Sequence, residues 1–344
     1  MGMAKVGILT AGGDCPGLNS AIVEAIYEIK RRKMKPVLIR NGYKGLLDAA
    51  DGEHDKSVMN LDLVDLDTVH GSGGTFIGSS RTKLKDDSLN KAVKGAENLK
   101  LSSLIVIGGD GSLLSANRLS KHLTVAAIPK TIDNDVAATD LSIGFSTAVE
   151  TAVTCVENIK DTARSHGTFF FVEVMGRRSG FLAAHTATGT RANCLLVPES
   201  PWSLNSLLPR IVEGGVAVVS EGAWCPELGS DAGRGPGGQL AGVADKIVEK
   251  ISESTPERPQ PKVKLRAVTL GHVLRGGRPS AADRVLATRL ARQAVELTHQ
   301  GRSGLCVAVN GKITSVNLDQ TELGRKYLSA LDLYELASML PGQN

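Results

Sequence analysis

Two turns combine carboxylates with glycine or lysine in a spacing that suits chemistry on phosphates. They are Pro129-Lys-Thr-Ile-Asp-Asn-Asp135 and Gly108-Gly-Asp-Gly-Ser112, and each follows an apolar run. A carboxylate at the end of a strand, here Asp133 or Asp135, can accept a proton from an attacking hydroxyl, while Asp110 can hold Mg²⁺. Phosphoryl transfer needs such a base, a divalent metal and cations for the phosphate oxygens. The competing interpretation makes these aspartates ordinary turn and helix-cap residues.

Glycine is a second signal, because 38 of the 344 residues, about 11%, are glycine, against a usual share of about 7%. Five turns are rich in glycine or charge: Thr10–Gly17, Gly71–Thr82, Gly108–Ser112, Met175–Gly180 and Gly271–Arg278. One such turn alone is more often structural than functional. Five together favour phosphorylated ligands, since backbone N–H groups at helix starts and guanidinium groups bind phosphates.

Two common nucleotide-binding patterns are excluded. The sequence has no G-x-x-x-x-G-K-[ST] segment and therefore no Walker-type phosphate loop. The turn Gly12–Gly17 also lacks the G-x-G-x-x-G spacing of a dinucleotide-dependent dehydrogenase. The alternative of a doubly wound dehydrogenase or binding protein would leave the Pro129–Asp135 turn unexplained.

The elements that must position these turns alternate between strands and helices. Short apolar runs, each followed by a turn and most then by a helical period, predict parallel strands buried on both faces. These runs are Val6–Thr10, Pro36–Arg40, Leu104–Ile107 and Val125–Pro129, then Phe169–Val174, Cys194–Val197 and Val216–Val219. An amphipathic helix over about Phe145–Ala163 leads from the first set to the second. We therefore expect an α/β fold with two domains and ligands at the carboxyl ends of the strands.

Composition limits the partners and the compartment. The 40 Lys and Arg residues against 36 Asp and Glu give a formal net charge of +4, so neither nucleic acid nor a membrane is an expected partner. No apolar run approaches the roughly 18 residues of a membrane span. Five scattered cysteines predict free thiols in a reducing, cytoplasmic compartment: Cys15, Cys155, Cys194, Cys225 and Cys306.

Five segments together resemble the 6-phosphofructokinases. They are Gly12–Asn19, Gly108–Ser112, Pro129–Asp135, Val172–Arg177 and Leu270–Gly277, and the resemblance runs in order from about Lys5 to about Asn310. It implies an α/β fold of two Rossmann-like three-layer domains, with mainly parallel sheets and the active site in the cleft between them. We expect a phosphoryl-donor domain at 1–144 with a return of about 263–310, a sugar-phosphate domain at 145–262, and a C-terminal extension at 311–344.

The resemblance implies Mg²⁺-dependent transfer of a phosphoryl group from ATP to the 1-hydroxyl of fructose 6-phosphate, which gives fructose 1,6-bisphosphate in glycolysis. Asp133 matches the family's base and Asp110 its Mg²⁺ ligand. The other catalytic positions are Arg81, Lys130, Thr131 and Arg177. The nucleotide-binding positions are Gly13, Arg81, Gly108, Gly109, Gly111 and Ser112. The sugar-phosphate-binding positions are Thr131, Asp133, Asp135, Met175, Gly176, Arg177, Glu221, Arg266, His272 and Arg275.

The residues that mark the phosphoryl donor are mixed. Diphosphate-using members of the family resemble this chain at Lys130, whereas they usually carry aspartate at the position of Gly111. A carboxylate there would repel the α-phosphate of ATP, so Gly111 favours ATP. The alternative is the same reaction with diphosphate as the donor.

One substrate anchor and the assembly also depend on the resemblance. Bacterial ATP-using members usually have, at the position of Thr168, an arginine that reaches the 6-phosphate across a subunit interface; Arg278 is a candidate replacement. The family implies a homotetramer or homodimer in which a neighbouring subunit contributes Arg266. A second alternative follows from Thr168: a non-catalytic sugar-phosphate-binding or regulatory protein.

Overall fold

The computed structural model describes residues 3–229, 242–254, 263–318 and 325–341. The chain divides into two compact units. The first consists of residues 1–132, 136–147 and 275–325, and the second of residues 133–135, 148–274 and 326–344.

Strands and helices alternate along most of the described chain. The strands are β1 (Lys5–Ala11), β2 (Lys35–Ile39), β3 (Val58–Met59), β4 (Ser79–Ser80), β5 (Ser103–Gly108), β6 (Thr124–Pro129), β7 (Thr168–Val174), β8 (Cys194–Leu196), β9 (Val216–Ser220), β10 (Lys264–Thr269), β11 (Gly304–Val309) and β12 (Lys312–Val316). The α-helices are α1 (Leu18–Arg31), α2 (Tyr43–Ala50), α3 (His54–Ser57), α4 (Leu66–His70), α5 (Asp86–Asn98), α6 (Asp110–Ser120), α7 (Phe145–His166), α8 (Phe181–Thr190), α9 (Leu204–Leu207), α10 (Val243–Ser254), α11 (Ala281–His299) and α12 (Ala330–Ser338).

The first unit is built on an eight-stranded sheet with the order β12-β11-β6-β5-β1-β2-β3, and β4 pairs with β1. The pairs are parallel except β2–β3 and β11–β12. One face of the sheet packs against α2, α5 and α6, while α11 contacts β5, β6 and β11. Helices therefore cover the central strands on both sides, which is why strands such as β5 are continuous apolar runs.

The second unit is built on a four-stranded sheet with the order β10-β7-β9-β8, and all its pairs are parallel. Phe169 and Phe171 of β7 pack with Ala244 and Ile247 of α10 in one buried cluster. Helix α8 contacts β8 and β9. This unit repeats the α/β pattern of the first, and the predicted fold class of two mainly parallel α/β domains is confirmed.

The unit boundaries differ from the expected domain ranges at two places. The strand Lys264–Thr269 pairs with Thr168–Val174 in the second sheet, so the chain returns to the first unit only at Arg275. Within the expected extension at 311–344, Lys312–Val316 pairs antiparallel with Gly304–Val309 of the first sheet. In both cases backbone hydrogen bonds to a neighbouring strand decide which unit the segment joins.

Two findings concern the thiols and the membrane. All five cysteines lie among the described residues and are free, and four of them are buried, which confirms the predicted thiols. Within the described part of the chain, no helix combines the length and hydrophobicity needed to cross a membrane.

Candidate active site

In the first unit, the carboxyl ends of four strands lie along one edge of the sheet. Strands β1, β4, β5 and β6 are parallel, so the turns that follow them meet at this edge. These turns hold Gly12–Gly13 after β1, Arg81 after β4, Gly109 and the start of α6 after β5, and Lys130–Thr131 after β6. The structure thus places the predicted nucleotide-binding residues at one edge.

Lys130 is buried within this edge, where its side chain is 3% exposed. Its ammonium donates to the carbonyl oxygen of Gly13. A Cβ atom on Gly12 would lie 3.6 Å from Lys130 Nζ and 3.5 Å from Ser112 Oγ, and one on Gly13 would lie 2.5 Å from Arg275 Nη1. Arg275, predicted on the sugar-phosphate side, therefore belongs to the first unit and lies against the glycine turn. The cations of Lys130 and Arg275, which lie beside two glycines without side chains, suit the binding of a phosphate group.

The start of helix α6 concentrates further charge. Asp110 Oδ1 accepts the Gly111 N–H at 2.7 Å, and Oδ2 accepts hydrogen bonds from Arg325 Nε at 3.1 Å and Nη2 at 2.8 Å. A Cβ atom on Gly111 would lie 3.3 Å from Lys83 Cε. The dipole of the helix favours anions at its N-terminus. Lys83 and Arg325 add positive charge to that preference.

Asp110 has the chemistry of a Mg²⁺ ligand. Its carboxylate is 30% exposed at the helix start. Among the residues that the structure describes, no three His, Cys, Asp or Glu side chains form a group that could hold a metal. Mg²⁺ is ordinarily held by one or two carboxylates together with substrate phosphates and water, so a single carboxylate fits it.

In the second unit, three parallel strands also end at one edge. Met175, Gly176 and Arg177 follow β7, Glu221 follows β9, and His272 lies in the turn after β10. Arg266 stands apart, because it lies midway along β10, opposite Phe170. The predicted sugar-phosphate residues of this unit are thus together at the carboxyl edge, with Arg266 as the exception.

Asp133 is a buried carboxylate held close to an arginine. Its side chain is 4% exposed, and its backbone carbonyl accepts a hydrogen bond from Ser179 Oγ at 2.9 Å. Arg177 Nε lies 3.7 Å from Asp133 Oδ2, while the arginine side chain remains 44% exposed. Arg177 has a φ of 53°, a left-handed conformation that is uncommon outside glycine and is often found at functional sites. The pair combines a fixed carboxylate with a cation that reaches solvent.

Glu221 lies beneath this pair. Its side chain is 7% exposed, and Oε1 accepts the N–H groups of Arg177 at 2.7 Å and Gly176 at 3.2 Å. Burial raises the pKa of Glu221 to about 7, and the charge of Asp133 acts in the same direction, against the hydrogen bond from Arg177. A Cβ atom on Gly222 would lie 1.8 Å from the Arg177 carbonyl oxygen, so only glycine fits there. Glu221 changes charge near neutral pH.

Glu221→Gln is expected to flatten the dependence of stability on pH. A raised folded-state pKa means that the native protein binds more protons than the unfolded chain between about pH 4.5 and 7, so the free energy of unfolding falls as pH rises through that window. By pH 8 the titration of Glu221 lowers the free energy of unfolding by roughly 3 kcal/mol relative to its value at low pH. Melting temperatures measured from pH 5 to pH 8 should therefore fall less in Glu221→Gln than in the wild type.

The matched control for this measurement is Glu157→Gln, at an exposed residue of α7. It should keep the wild-type slope of melting temperature against pH. A wild-type slope in Glu221→Gln as well would contradict the assignment of the titrating group.

The remaining predicted positions differ in exposure. Asp135 and Thr168 are buried. The Thr168 hydroxyl donates to the His166 carbonyl at 3.4 Å. Arg278, the candidate replacement for an arginine at 168, is exposed in the first unit.

Sequence reasoning missed three residues of these two edges. Lys83 lies only two positions after Arg81, so its sequence position was a usable signal. Ser179 lies inside the Met175–Gly180 turn, but its hydrogen bond to the Asp133 carbonyl was not predicted. Arg325 is 215 residues from Asp110, and no local pattern points to their pairing.

Comparisons with known proteins agree with this arrangement. A family model described as phosphofructokinase matches residues 5–298. The chain is similar to the ATP-dependent 6-phosphofructokinase 3 of Streptomyces coelicolor, with 37% identity over 89% of this chain and 91% of the relative. It is also similar to the pyrophosphate–fructose 6-phosphate 1-phosphotransferase of Dictyoglomus thermophilum, with 36% identity over 90% of this chain and 91% of the relative.

A solved structure of phosphofructokinase from Saccharomyces cerevisiae is similar at a TM-score of 0.78 and 26% identity; the match covers 92% of this chain and 45% of that chain. Two α/β units with glycine-rich turns at the carboxyl ends of parallel strands are typical of proteins that bind phosphorylated ligands. The chain belongs to the phosphofructokinase family, which confirms the resemblance seen in the sequence.

Proposed function

We propose that the protein transfers the terminal phosphoryl group of ATP to the 1-hydroxyl of fructose 6-phosphate, a glycolytic reaction that yields fructose 1,6-bisphosphate. The observation that carries the proposal is the buried Asp133 carboxylate, 3.7 Å from Arg177 and directly after the Lys130–Thr131 turn. The names of the Streptomyces and Dictyoglomus relatives support the sugar phosphate as acceptor.

On the acceptor side, Asp133 accepts the proton of the 1-hydroxyl as its oxygen attacks phosphorus. Arg177 offers its guanidinium to the charge that develops on the transferred group. The residues of the second unit that we assign to the sugar phosphate are Asp135, Met175, Gly176, Glu221 and His272.

On the donor side, the phosphates meet backbone N–H groups of Gly13, Gly108, Gly109 and Gly111, the hydroxyl of Ser112, and the cations of Arg81 and Lys130. Asp110 would hold Mg²⁺, which when bound neutralises charge on the donor's phosphate oxygens.

Two residues bear on the choice of donor. Gly111 puts no carboxylate at the helix start and has the flexible end of Lys83 beside it, which supports ATP because an α-phosphate there meets a cation and no negative side chain from residue 111. Lys130, where this chain resembles diphosphate-using members of the family, supports the second candidate, a diphosphate-dependent fructose 6-phosphate 1-phosphotransferase. Relatives of both kinds have nearly equal identity, 37% and 36%.

We also propose that the first unit binds the donor, that the second binds the sugar phosphate, and that the protein acts as a homotetramer or homodimer. Arg266 would then complete the site of a neighbouring subunit. Its exposed side chain on β10, which pairs only with β7 in the described sheet, supports this role. Sedimentation of the active enzyme tests it, since a fully active monomer would contradict it.

A donor comparison tests the proposed reaction. The activity of purified protein with Mg²⁺ and fructose 6-phosphate is measured with ATP and, separately, with diphosphate. The Asp133→Asn variant is the negative control. We expect the wild type to turn over ATP and the Asp133→Asn variant not to. Turnover with diphosphate alone would favour the second candidate, and turnover with neither donor would favour a non-catalytic sugar-phosphate-binding protein.

A further inference from the structure

Asp110, the carboxylate suited to Mg²⁺, already has a partner far along the chain. Arg325 donates to its Oδ2 from Nε at 3.1 Å and from Nη2 at 2.8 Å, and the Gly111 N–H donates to Oδ1 at 2.7 Å. A guanidinium fork and a divalent cation bind a carboxylate through the same oxygens, and the two repel each other. A metal ion at Oδ2 therefore requires the Arg325 guanidinium to move.

The backbone of Arg325 is anchored even though its side chain is not enclosed. Arg325 forms an antiparallel bridge with the buried Val136, and the N–H of the next residue, Lys326, donates to the Asp135 carbonyl at 2.9 Å. The Arg325 side chain is 29% exposed. A guanidinium that leaves Asp110 thus stays within a side-chain length of the α6 start.

We propose that Arg325 is a donor-site residue that exchanges partners. Without a donor it binds Asp110; when metal and donor phosphates arrive, the metal takes Asp110 Oδ2 and the guanidinium takes phosphate oxygens. The geometry permits the exchange because the planar fork of arginine matches phosphate as well as carboxylate. This inference rests on the proposed function, since it assumes a phosphate donor at the α6 start. It couples the binding of metal to the binding of phosphate.

Arg325→Gln tests the exchange through two binding measurements that need no catalysis. Mn²⁺ alone, followed by electron paramagnetic resonance, should bind about tenfold more tightly, because the competing guanidinium is gone. ATP or diphosphate in EDTA, whichever the wild type binds by calorimetry, should bind about tenfold more weakly, because a charge-assisted contact is lost. Arg325→Lys, which keeps the charge without the fork, should lie between these values and serves if the Gln variant fails to fold.

The matched control is Arg118→Gln, on the same helix α6, where Arg118 pairs with Asp86 at 3.1 Å. It should change neither affinity. Unchanged Mn²⁺ affinity or unchanged donor affinity in Arg325→Gln would overturn the exchange. Both predicted shifts in a protein that fails to phosphorylate fructose 6-phosphate would overturn the proposed function and leave the exchange intact.

Discussion

Asp133→Asn is expected to lower kcat for phosphorylation of fructose 6-phosphate by about 10²–10⁴-fold, the usual contribution of a general base. Asparagine has nearly the shape of aspartate, and the Ser179 hydrogen bond to the backbone carbonyl of residue 133 does not involve the side chain. The amide therefore occupies the same buried place, but it cannot take the proton of the 1-hydroxyl. Steady-state kinetics with saturating donor should show the loss mainly in kcat, with a much smaller change in the KM for the sugar phosphate.

Asp140→Asn is the matched control for this variant. Asp140 belongs to the same connection between β6 and α7, is exposed, and accepts the Asn310 N–H at 2.7 Å. It should keep kcat within about twofold of the wild type, as surface substitutions usually have small effects. If Asp133→Asn retained more than about a tenth of the wild-type kcat, Asp133 would not be the base.

The strands were predictable from local sequence because burial on both faces makes them continuous apolar runs. The run Leu104–Ile107 became the strand Ser103–Gly108, and the helix expected over Phe145–Ala163 extends from Phe145 to His166. The sheet that a strand joins was not predictable in this way. Leu265–Thr269 has the composition of a strand, but only its pairing with β7 assigns it to the second unit.

The residues of the candidate site also differ in whether local sequence predicts them. Gly108–Ser112 and Lys130–Asp135 follow strands directly, so the parallel sheet of the first unit and the order of the chain were enough to predict turns at a carboxyl edge. Arg325 reaches Asp110 from a segment that carries no glycine-rich turn or apolar period. Its contact depends on the backbone bridge to Val136, which sequence pattern does not reveal.

Gly111→Asp is expected to lower kcat/KM for ATP by about 10²–10³-fold while the protein stays folded. The new side chain would project from the first turn of α6, where a carboxylate favours the helix, and its only close contact is the flexible end of Lys83, 3.3 Å from the Cβ. The carboxylate would repel an α-phosphate and neutralise Lys83, two charge effects that together amount to about 3–4 kcal/mol in a partly enclosed site. Kinetics with ATP and diphosphate in parallel should show the loss for ATP alone.

Gly111→Asn separates charge from bulk in this experiment, because asparagine fills the same volume without the negative charge. If repulsion of the α-phosphate is the cause, Gly111→Asn should retain at least tenfold more ATP-dependent kcat/KM than Gly111→Asp. Equal losses in the two variants would mean that space at the α6 start, rather than charge, selects the donor. Equal losses with ATP and diphosphate in Gly111→Asp would mean that residue 111 does not distinguish the two donors.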